Sequence, residues 1–213
     1  MTDNTERDGP DVGRRRLLTG LALGGAAVAG GVVGGVTTAA ASGGGFRRET
    51  LTLDVACLGD SWRFGTTVNP ANDTDFRSSF GVEGWVYPEG TVPGDGFVPT
   101  ASGAIGHWLC RGWVLVDNLR PEPHVMSTQE YVLDMISPED LFAADNLTSS
   151  GIEGTETDQV AVRSVVGGTG RYIGATGQVT QANNGVNTSV MADGSDLPAP
   201  NFIVGFDLLL PDV

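Results

Sequence analysis

The chain has 213 residues, with 26 acidic and 12 basic side chains, a formal net charge of −14 and no lysine. This charge balance excludes nucleic acid and anionic membrane surfaces as electrostatic partners. The length is enough for one domain with a sizeable core and one additional segment.

The additional segment is N-terminal and has the composition of an export signal. Arg14–Arg16 are followed by two leucines, a Gly/Ala/Leu/Val stretch and the small residues Ala39–Ala41. A basic region, an apolar region and an A-x-A site make up a signal peptide. Twin arginines before leucines resemble the twin-arginine type. We expect residues 1–41 to be a twin-arginine signal peptide that directs the protein to the cell envelope or the medium. The alternative is an uncleaved N-terminal anchor.

After a flexible Gly-rich leader, residues 42–48, the chain predicts a succession of β-strands. In Glu49–Leu58 apolar residues alternate with others, as in a half-buried strand. Ser137–Asp140 is the only good helix start, with an N-cap serine and a proline at the first position. Asn183–Pro200 is predicted as a long loop. The seven further predicted strands are Phe76–Tyr87, Ala104–Val116, Val125–Met135, Asn146–Ile152, Asp158–Val166, Arg171–Ala182 and Asn201–Leu210. Eight strands and almost no helix predict an all-β antiparallel barrel or sandwich over residues 49–213.

The stretch Val165–Gln181 is a glycine-dense turn between two of these strands. A phosphate-binding glycine loop would have to open a helix, whereas the residues that follow alternate with the period of a strand. We therefore interpret Gly167, Gly168 and Gly170 as a structural turn with glycines at φ > 0.

The residues Val166–Tyr172, VGGTGRY, followed by Gly174-Ala175 and Gly177–Val179, resemble the turn and small-residue strand of the allene oxide cyclase and dirigent barrels. Trp108–Gly112 is similar to the exported bacterial branch of this superfamily. The resemblance implies a single eight-stranded, calycin-like or lipocalin-like antiparallel barrel with a largely apolar cavity. It also implies a homodimer or homotrimer that acts on a hydrophobic or phenolic small molecule.

The same resemblance places Asp54 at the position of the cyclase carboxylate and Cys110 at the position of its cysteine, while Ala56 replaces the family's asparagine. Alternation leaves two interpretations that exclude each other, because an inward Cys57 makes Asp54 point outward. Either Cys57 and Cys110 form a disulfide in the barrel wall, or Asp54 and Cys110 both line the cavity as catalytic residues. Two cysteines in an exported protein and the apolar residues that alternate in phase with Cys57 favour the disulfide.

Four other side chains are candidates for ligand binding. Arg111 lies in an apolar strand, where a buried guanidinium needs an anionic ligand or a carboxylate, for which Glu83, Glu130 and Asp134 are candidates. It either holds a substrate carboxylate or phenolate, or faces outward. Tyr131 and Tyr172 are candidate donors to a ligand, or core residues. The two histidines lack metal-type spacing, so no metal site is predicted.

The sequence therefore predicts an exported barrel that binds a hydrophobic or aromatic small molecule. It could guide cyclisation or isomerisation of that molecule by confining its shape, without a cofactor. The alternative is a non-catalytic carrier or structural barrel with a packed interior. The sequence leaves open whether the protein is an enzyme.

Overall fold

The computed structural model describes residues 37–39, 45–65, 78–115, 124–135, 145–154, 159–192 and 196–212. Gly59–Ser61 and Gly170–Tyr172 form 3₁₀ turns. No helix in these ranges is long and apolar enough to cross a membrane. The strands are β1 (Thr37–Ala39), β2 (Phe46–Cys57), β3 (Arg63–Phe64), β4 (Ser78–Pro88), β5 (Gly106–Leu115), β6 (His124–Leu133), β7 (Asp145–Gly154), β8 (Ala161–Thr169), β9 (Thr176–Val190) and β10 (Pro198–Pro211).

Eight of these strands close into an antiparallel barrel. Their order around the barrel is β2, β10, β9, β8, β7, β6, β5 and β4. β4 returns to pair with β2, from Leu53 opposite Pro88 to Cys57 opposite Gly84. The short strand β1 pairs with β2, and β3 pairs with β4. Closure satisfies the backbone of every barrel strand on both sides, and it confirms the predicted eight-stranded barrel.

The alternation in β2 determines which residues fill the barrel. Leu51, Leu53, Val55 and Cys57 are buried in the main core cluster together with inward residues of the other strands. The opposite face of β2 is also buried near its end, because the segment 89–100 covers it on the outside of the barrel. There Ala56 packs in a second cluster with Tyr87 and Val92.

Several predicted strand boundaries differ from the structure, three of them as follows. β9 continues through Val190, although Asn183–Pro200 was predicted as a loop. The asparagines in this stretch are satisfied by specific contacts: Asn187 Nδ2 donates to the Cys57 carbonyl over 2.9 Å. At the other end β2 begins at Phe46, inside the predicted leader. The third difference is that Gly170–Tyr172, predicted in part as strand, is a 3₁₀ turn.

The predicted glycine turn is confirmed only in part, because Gly167 and Gly168 lie in β8 and Gly168 is not among the glycines with positive φ. Gly167 has φ = 151° and Gly170 has φ = 59°, and this region of φ favours glycine. Gly167 lies at a register shift between β7 and β8, and Gly170 opens the 3₁₀ turn. Most of the predicted signal peptide and the helix start at Ser137 lie outside the described residues.

Candidate functional site

A group of polar side chains lies inside the barrel, among otherwise apolar residues. They come from inward positions of β6, β7, β8 and β9, where strand alternation directs every second side chain into the core. We call this group the interior polar cluster. Its members are Ser127, Gln129, Tyr131, Glu153, Arg163 and Gln181.

Arg163 provides the positive charge of the cluster, and its side chain is 0% exposed. Its Nη2 donates to Gln129 Oε1 over 2.6 Å and to the Tyr131 hydroxyl and Gln181 Oε1 over 2.9 Å each. A guanidinium keeps its charge in proteins, so its burial requires hydrogen-bond acceptors and a counter-charge.

Glu153 is that counter-charge. Its Oε1 lies 3.9 Å from Arg163 Nη1. It also accepts hydrogen bonds from Ser127 Oγ over 2.5 Å and from Gln181 Nε2 over 2.7 Å, and Gln129 Nε2 lies 3.2 Å from its Oε1. The Glu153 side chain is 11% exposed, so the cluster reaches solvent at the C-terminal end of β7.

The amide of Gln129 connects the two charges. Its oxygen accepts hydrogen bonds from Trp108 Nε1 over 3.0 Å, from the Tyr131 hydroxyl over 2.5 Å and from Arg163. Its nitrogen donates on the opposite side, to Glu153. Because only donors face the oxygen and only acceptors face the nitrogen, the amide has one orientation.

Arg163 Nε and Ser149 Oγ are among the buried polar atoms that have no hydrogen-bond partner within the described residues. Ser149 is an inward residue of β7, directly opposite Gln129 on β6. An unpaired buried donor costs about 1–3 kcal/mol. Each of these two atoms is therefore free to donate to a further acceptor.

A glycine makes room for Arg163. A Cβ at Gly151, which is next to Arg163 across β7 and β8, would lie 2.7 Å from Arg163 Cγ and 3.0 Å from its Cβ. Real Cβ atoms do not approach side-chain carbons so closely, and tightly packed interiors have no slack to accept them. Gly151 therefore permits the arginine to lie across β7.

Beside the charged pair, the Tyr131 hydroxyl and the Cys110 thiol are held in their neutral forms. Burial raises the pKa of Tyr131 to about 12, against the opposing effect of the Arg163 charge. Burial and the nearby Glu153 carboxylate also raise the pKa of the Cys110 thiol. Tyr131 is therefore a hydrogen-bond donor, and Cys110 is a poor nucleophile because its thiolate is disfavoured.

The structure contradicts the interpretation that Asp54 and Cys110 line the cavity together. Cys110 is in the main core, but Asp54 faces outward and is buried under the segment that covers β2. Its Oδ2 accepts a hydrogen bond from the Val92 backbone N–H over 2.8 Å. Strand alternation separates the two side chains, because Val55 on one side of Asp54 and Leu53 on the other both point inward. Asp54 is a structural carboxylate that holds the covering segment.

Asp54 gives a testable pH dependence. Burial raises its pKa above the ordinary value, and backbone N–H groups of Val92, Thr91 and Gly90 partly oppose this. Because the folded state binds the proton more tightly than the unfolded state, the contribution of Asp54 to stability falls as the pH rises from its ordinary pKa through the raised one. We expect Asp54→Asn to remove this fall. Urea unfolding at several pH values between the acid range and neutrality measures it, and parallel curves for wild type and variant would contradict it.

The predicted disulfide is absent: Cys57 and Cys110 are free thiols, both buried in the core. Cys57 is opposite Gly84 on β4, and Cys110 is opposite Val82 on the same strand, so β4 separates them. Two strand spacings are about 10 Å, more than the roughly 7 Å between Cα atoms that a disulfide spans.

Arg111 and Glu83 are on the outside of the barrel, so of the two alternatives for Arg111 the outward one holds and neither side chain binds a ligand in the cavity. The Arg111 side chain is 69% exposed and pairs with Glu130 over 2.5 Å. Glu83 is 53% exposed and lies 3.4 Å from His107. Trp108 and Cys110 of β5 point into the barrel. The residues that alternate with them, including Arg111, therefore face solvent.

The two predicted tyrosines have different surroundings. Tyr131 belongs to the interior polar cluster, and its role in ligand binding stays a prediction. Tyr172 is fully buried in the turn after β8, and the Arg171 guanidinium lies 4.8 Å from its ring centroid. Burial raises the pKa of Tyr172 to about 12. Tyr172 contacts no member of the cluster through a hydrogen bond, which fits a core residue.

Sequence reasoning missed Arg163, Glu153 and Gln181. The sequence did contain a signal for Gln129, which contacts all three. Gln129 and Tyr131 share a face with the apolar Leu133 in the predicted strand. Two polar residues on an inward face need partners inside the barrel. A search for an inward arginine and an inward carboxylate on the neighbouring strands was therefore justified.

The architecture defines a closed eight-stranded antiparallel barrel with a buried ion pair in its interior. Solved structures of the same fold include two pterocarpan synthase dirigent proteins. GePTS1 is 11% identical, with a TM-score of 0.53 over 82% of this chain and 96% of that chain. PsPTS1 is 13% identical, with a TM-score of 0.51 over 77% and 95%. Pyocyanin demethylase is 16% identical, with a TM-score of 0.47 over 75% and 98%.

The similarity to the two dirigent proteins confirms the predicted dirigent-like barrel at the level of fold. No protein-family model matches the sequence. No curated protein matches it either. Activity has to be argued from the site, since one fold supports many functions.

Proposed function

We propose that this protein is an exported barrel that binds a hydrophobic or aromatic small molecule and holds a polar end of it at the interior polar cluster. The observation that carries the proposal is the buried Arg163–Glu153 pair, at which Arg163 Nε and Ser149 Oγ are left without partners. The described inward positions around the cluster are largely apolar. The proteins named pterocarpan synthases show that this fold can host small-molecule chemistry.

The ligand's polar group is best a neutral or weakly acidic oxygen, such as a phenol or a carbonyl. The cluster holds one positive and one negative charge, so it is balanced before the ligand arrives. A strong anion would leave a net negative charge in the interior, which costs several kcal/mol. A phenol or carbonyl oxygen can accept from Arg163 Nε and Ser149 Oγ with no such cost.

If the protein catalyses a reaction, the cluster offers polarisation and confinement rather than a nucleophile. Arg163 would stabilise negative charge that develops on a ligand oxygen. Tyr131, held neutral, is a donor in the same region. The apolar residues around it would hold a flexible molecule in one reactive shape and so guide cyclisation or isomerisation. None of these steps requires a cofactor.

The residue pair Arg163 and Arg111 gives a matched test of this proposal. We expect the full chain to retain a small molecule in native mass spectrometry after exposure to a mixture of phenolic compounds. Arg163→Met should abolish retention, whereas Arg111→Met, the same change on the outer face, should leave it intact. Ser149→Ala removes a hydroxyl that has no protein partner, so it should weaken retention without lowering stability.

Retention by wild type that neither Arg163→Met nor Ser149→Ala changes would place the ligand elsewhere. If wild type retains nothing, the second candidate function is favoured, which is a carrier for another ligand or a structural barrel. One observation supports that candidate: within the cluster, Glu153, Gln129 and Gln181 satisfy one another's hydrogen bonds. The proposed export is tested separately, by the cellular fraction in which the protein is found when Arg14 and Arg15 are both replaced by lysine.

A further inference from the structure

β2 and β4 form the contact at which the barrel closes, and we call it the closing seam. It has five register pairs, from Leu53 opposite Pro88 to Cys57 opposite Gly84, whereas β2 has eleven with β10 on its other side. The contacts of β8 with β7 and with β9 are equally short, but those strands follow one another in the chain. β3 lies between β2 and β4 in the chain. The closing seam therefore joins two non-consecutive strands through few backbone pairs.

The inner side of the closing seam lacks a side chain at Gly84, a buried inward position of β4. Gly84 is opposite Cys57 on β2 and opposite Trp108 on β5. A Cβ at Gly84 would lie 3.1 Å from Trp108 Cε3, so the indole ring packs directly on the backbone of the seam. Its Nε1 donates to Gln129 of the interior polar cluster over 3.0 Å. The Trp108 ring thus extends from the closing seam to the cluster.

Residues 89–100, which we call the covering segment, cross the closing seam on the outside. On the β4 side, the Tyr87 hydroxyl donates to the Thr100 carbonyl over 2.6 Å and accepts from the Thr100 N–H over 2.9 Å. Beyond β2, Asn184 of β9 donates through its Nδ2 to the Val92 carbonyl over 2.8 Å. The covering segment therefore connects strands on the two sides of the seam and braces it.

The covering segment has little buried apolar surface of its own. Val92 is its only buried residue, and it packs with Ala56 and Tyr87 in a cluster of three buried residues. The attachment of the segment therefore rests largely on hydrogen bonds, among them that from the Val92 N–H to Asp54. Segments with few buried apolar contacts open locally at a lower free energy than that of global unfolding.

A ligand of the interior polar cluster needs an opening in the barrel. The Arg163 side chain, whose Nε is unpartnered, is 0% exposed, and Ser149 is 0% exposed as well. Arg163 is on β8 and Ser149 is on β7. In the order of the eight strands, the contact between β7 and β8 lies directly opposite the closing seam. A molecule that enters through the seam would therefore meet these two side chains across the barrel.

We propose that the covering segment is a releasable brace, and that its release lets the barrel open at the closing seam and admits a small molecule to the interior polar cluster. Release removes the hydrogen bonds that connect β4 with β9 across the seam. Five backbone pairs then remain, and Gly84 contributes no side-chain packing to them. Separation of the two strands uncovers the Trp108 ring, behind which the cluster lies. The use of this opening as an entry route rests on the proposed function, whereas the opening itself does not.

The two buried thiols test the opening without a ligand. Cys57 is in the closing seam and is 0% exposed, whereas Cys110 is 4% exposed on β5, with β4 between it and the seam. Labelling of the full chain by iodoacetamide at one pH, followed by peptide mass spectrometry, gives a separate rate for each thiol. We expect the Cys57 rate to change little with urea below the unfolding transition, because a local opening exposes little surface. The Cys110 rate should rise with urea in step with global unfolding.

Two variants weaken the brace on opposite sides of the seam. Tyr87→Phe removes a hydroxyl with two hydrogen bonds to the covering segment, and Asn184→Ala removes a donor to it. Each should raise the Cys57 rate by roughly three- to tenfold, the effect of losing the net contribution of a hydrogen bond. Tyr172→Phe is the matched control, because this hydroxyl is buried without a hydrogen-bond partner among the described residues. It should leave the Cys57 rate at the wild-type value.

Three labelling results would overturn the proposal. Equal urea dependence of the two thiols would show that only global unfolding exposes Cys57. A Cys57 rate that stays unchanged in either brace variant would show that the covering segment does not control the opening. An equal rise in Tyr172→Phe would show that the loss of any buried hydroxyl has the same effect.

Native mass spectrometry over time tests the entry route. The brace variants should take up a compound from the phenolic mixture faster than wild type and reach the same final occupancy, because the interior polar cluster is unchanged. Unchanged uptake in variants whose Cys57 is labelled faster overturns the route. A wild-type chain that retains no compound overturns the proposed function, while the labelling still decides whether the seam opens.

Discussion

Replacing Glu153 by alanine is expected to lower the free energy of unfolding by about 3–5 kcal/mol, the cost of breaking a buried ion pair on one side. The variant leaves the Arg163 guanidinium in the barrel with its charge uncompensated. It also removes the acceptor for Ser127 Oγ and for Gln181 Nε2. Because a guanidinium cannot lose its proton at accessible pH, Arg163 has no means of avoiding this cost.

Urea unfolding monitored by tryptophan fluorescence measures the effect. Glu130→Ala is the matched control, because it removes the carboxylate of an ion pair on the outer face, where the partner Arg111 is largely exposed. It should cost less than about 1 kcal/mol.

A double variant separates the charge effect from general loss of packing. Arg163→Met combined with Glu153→Leu removes both charges and fills similar volume, so it should recover most of the stability. The double variant should also fail to retain a phenolic ligand, since the polar anchor is gone. Two results would contradict a stabilising role for the buried pair. One is an equal loss of unfolding free energy in Glu153→Ala and Glu130→Ala. The other is a double variant that is no more stable than Glu153→Ala.

The strands themselves were predictable because one physical rule dominates them. A residue pattern of period two defines a strand, and eight such segments with few helix signals leave only barrels and sandwiches. The glycine turn was predictable for a different reason: Gly167 and Gly170 adopt φ values that other residues rarely take. Closure through β2 and β4 could not be predicted, because strand order depends on contacts between distant segments.

The interior arginine could not be predicted from its own strand. Around Arg163, one face of β8 carries Ala161 and Val165, and the other face carries Val162 and Val166. Both faces are apolar, so the pattern does not say which one is inside. The structure shows the reason: the outward valines, Val162 and Val166, are exposed on the outer surface of the barrel.

Arg111 was the more conspicuous candidate because its neighbours are large and apolar. The alternation rule already placed it on the face opposite Trp108 and Cys110. The same rule implied that Asp54 and Cys57 cannot both point into the barrel. In the structure Cys57 points inward and Asp54 points outward. Parity was therefore a better guide to the site than composition.

A methyl group at Gly151 is expected to displace Arg163 and lower the free energy of unfolding by about 1–3 kcal/mol, the range for overpacking a filled interior. The new Cβ would lie 2.7 Å from Arg163 Cγ and 3.2 Å from its Cα. The long side chain can move, but its guanidinium then leaves the oxygens of Gln129 and Gln181. Gly151→Ala should therefore lose ligand retention together with stability.

Gly81→Ala is the control for this substitution. Gly81 is also in a barrel strand, but a Cβ there meets nothing closer than the Cys110 carbonyl oxygen at 4.0 Å. Alanine at this position should be neutral or stabilise by about 0.5 kcal/mol, because it reduces the entropy of the unfolded chain. Urea unfolding of both variants, with native mass spectrometry of their ligand retention, measures the difference.

A double-mutant cycle shows whether Gly151 acts through Arg163. In an Arg163→Ala background most of the atoms that a Cβ at Gly151 would meet are gone, so Gly151→Ala should cost clearly less than in wild type. The difference is the coupling energy of the two positions. If alanine at 151 costs the same in both backgrounds, the glycine is required by the backbone of β7 and not by the arginine. In that case the position of Arg163 in the interior polar cluster would not depend on a glycine at position 151 of β7.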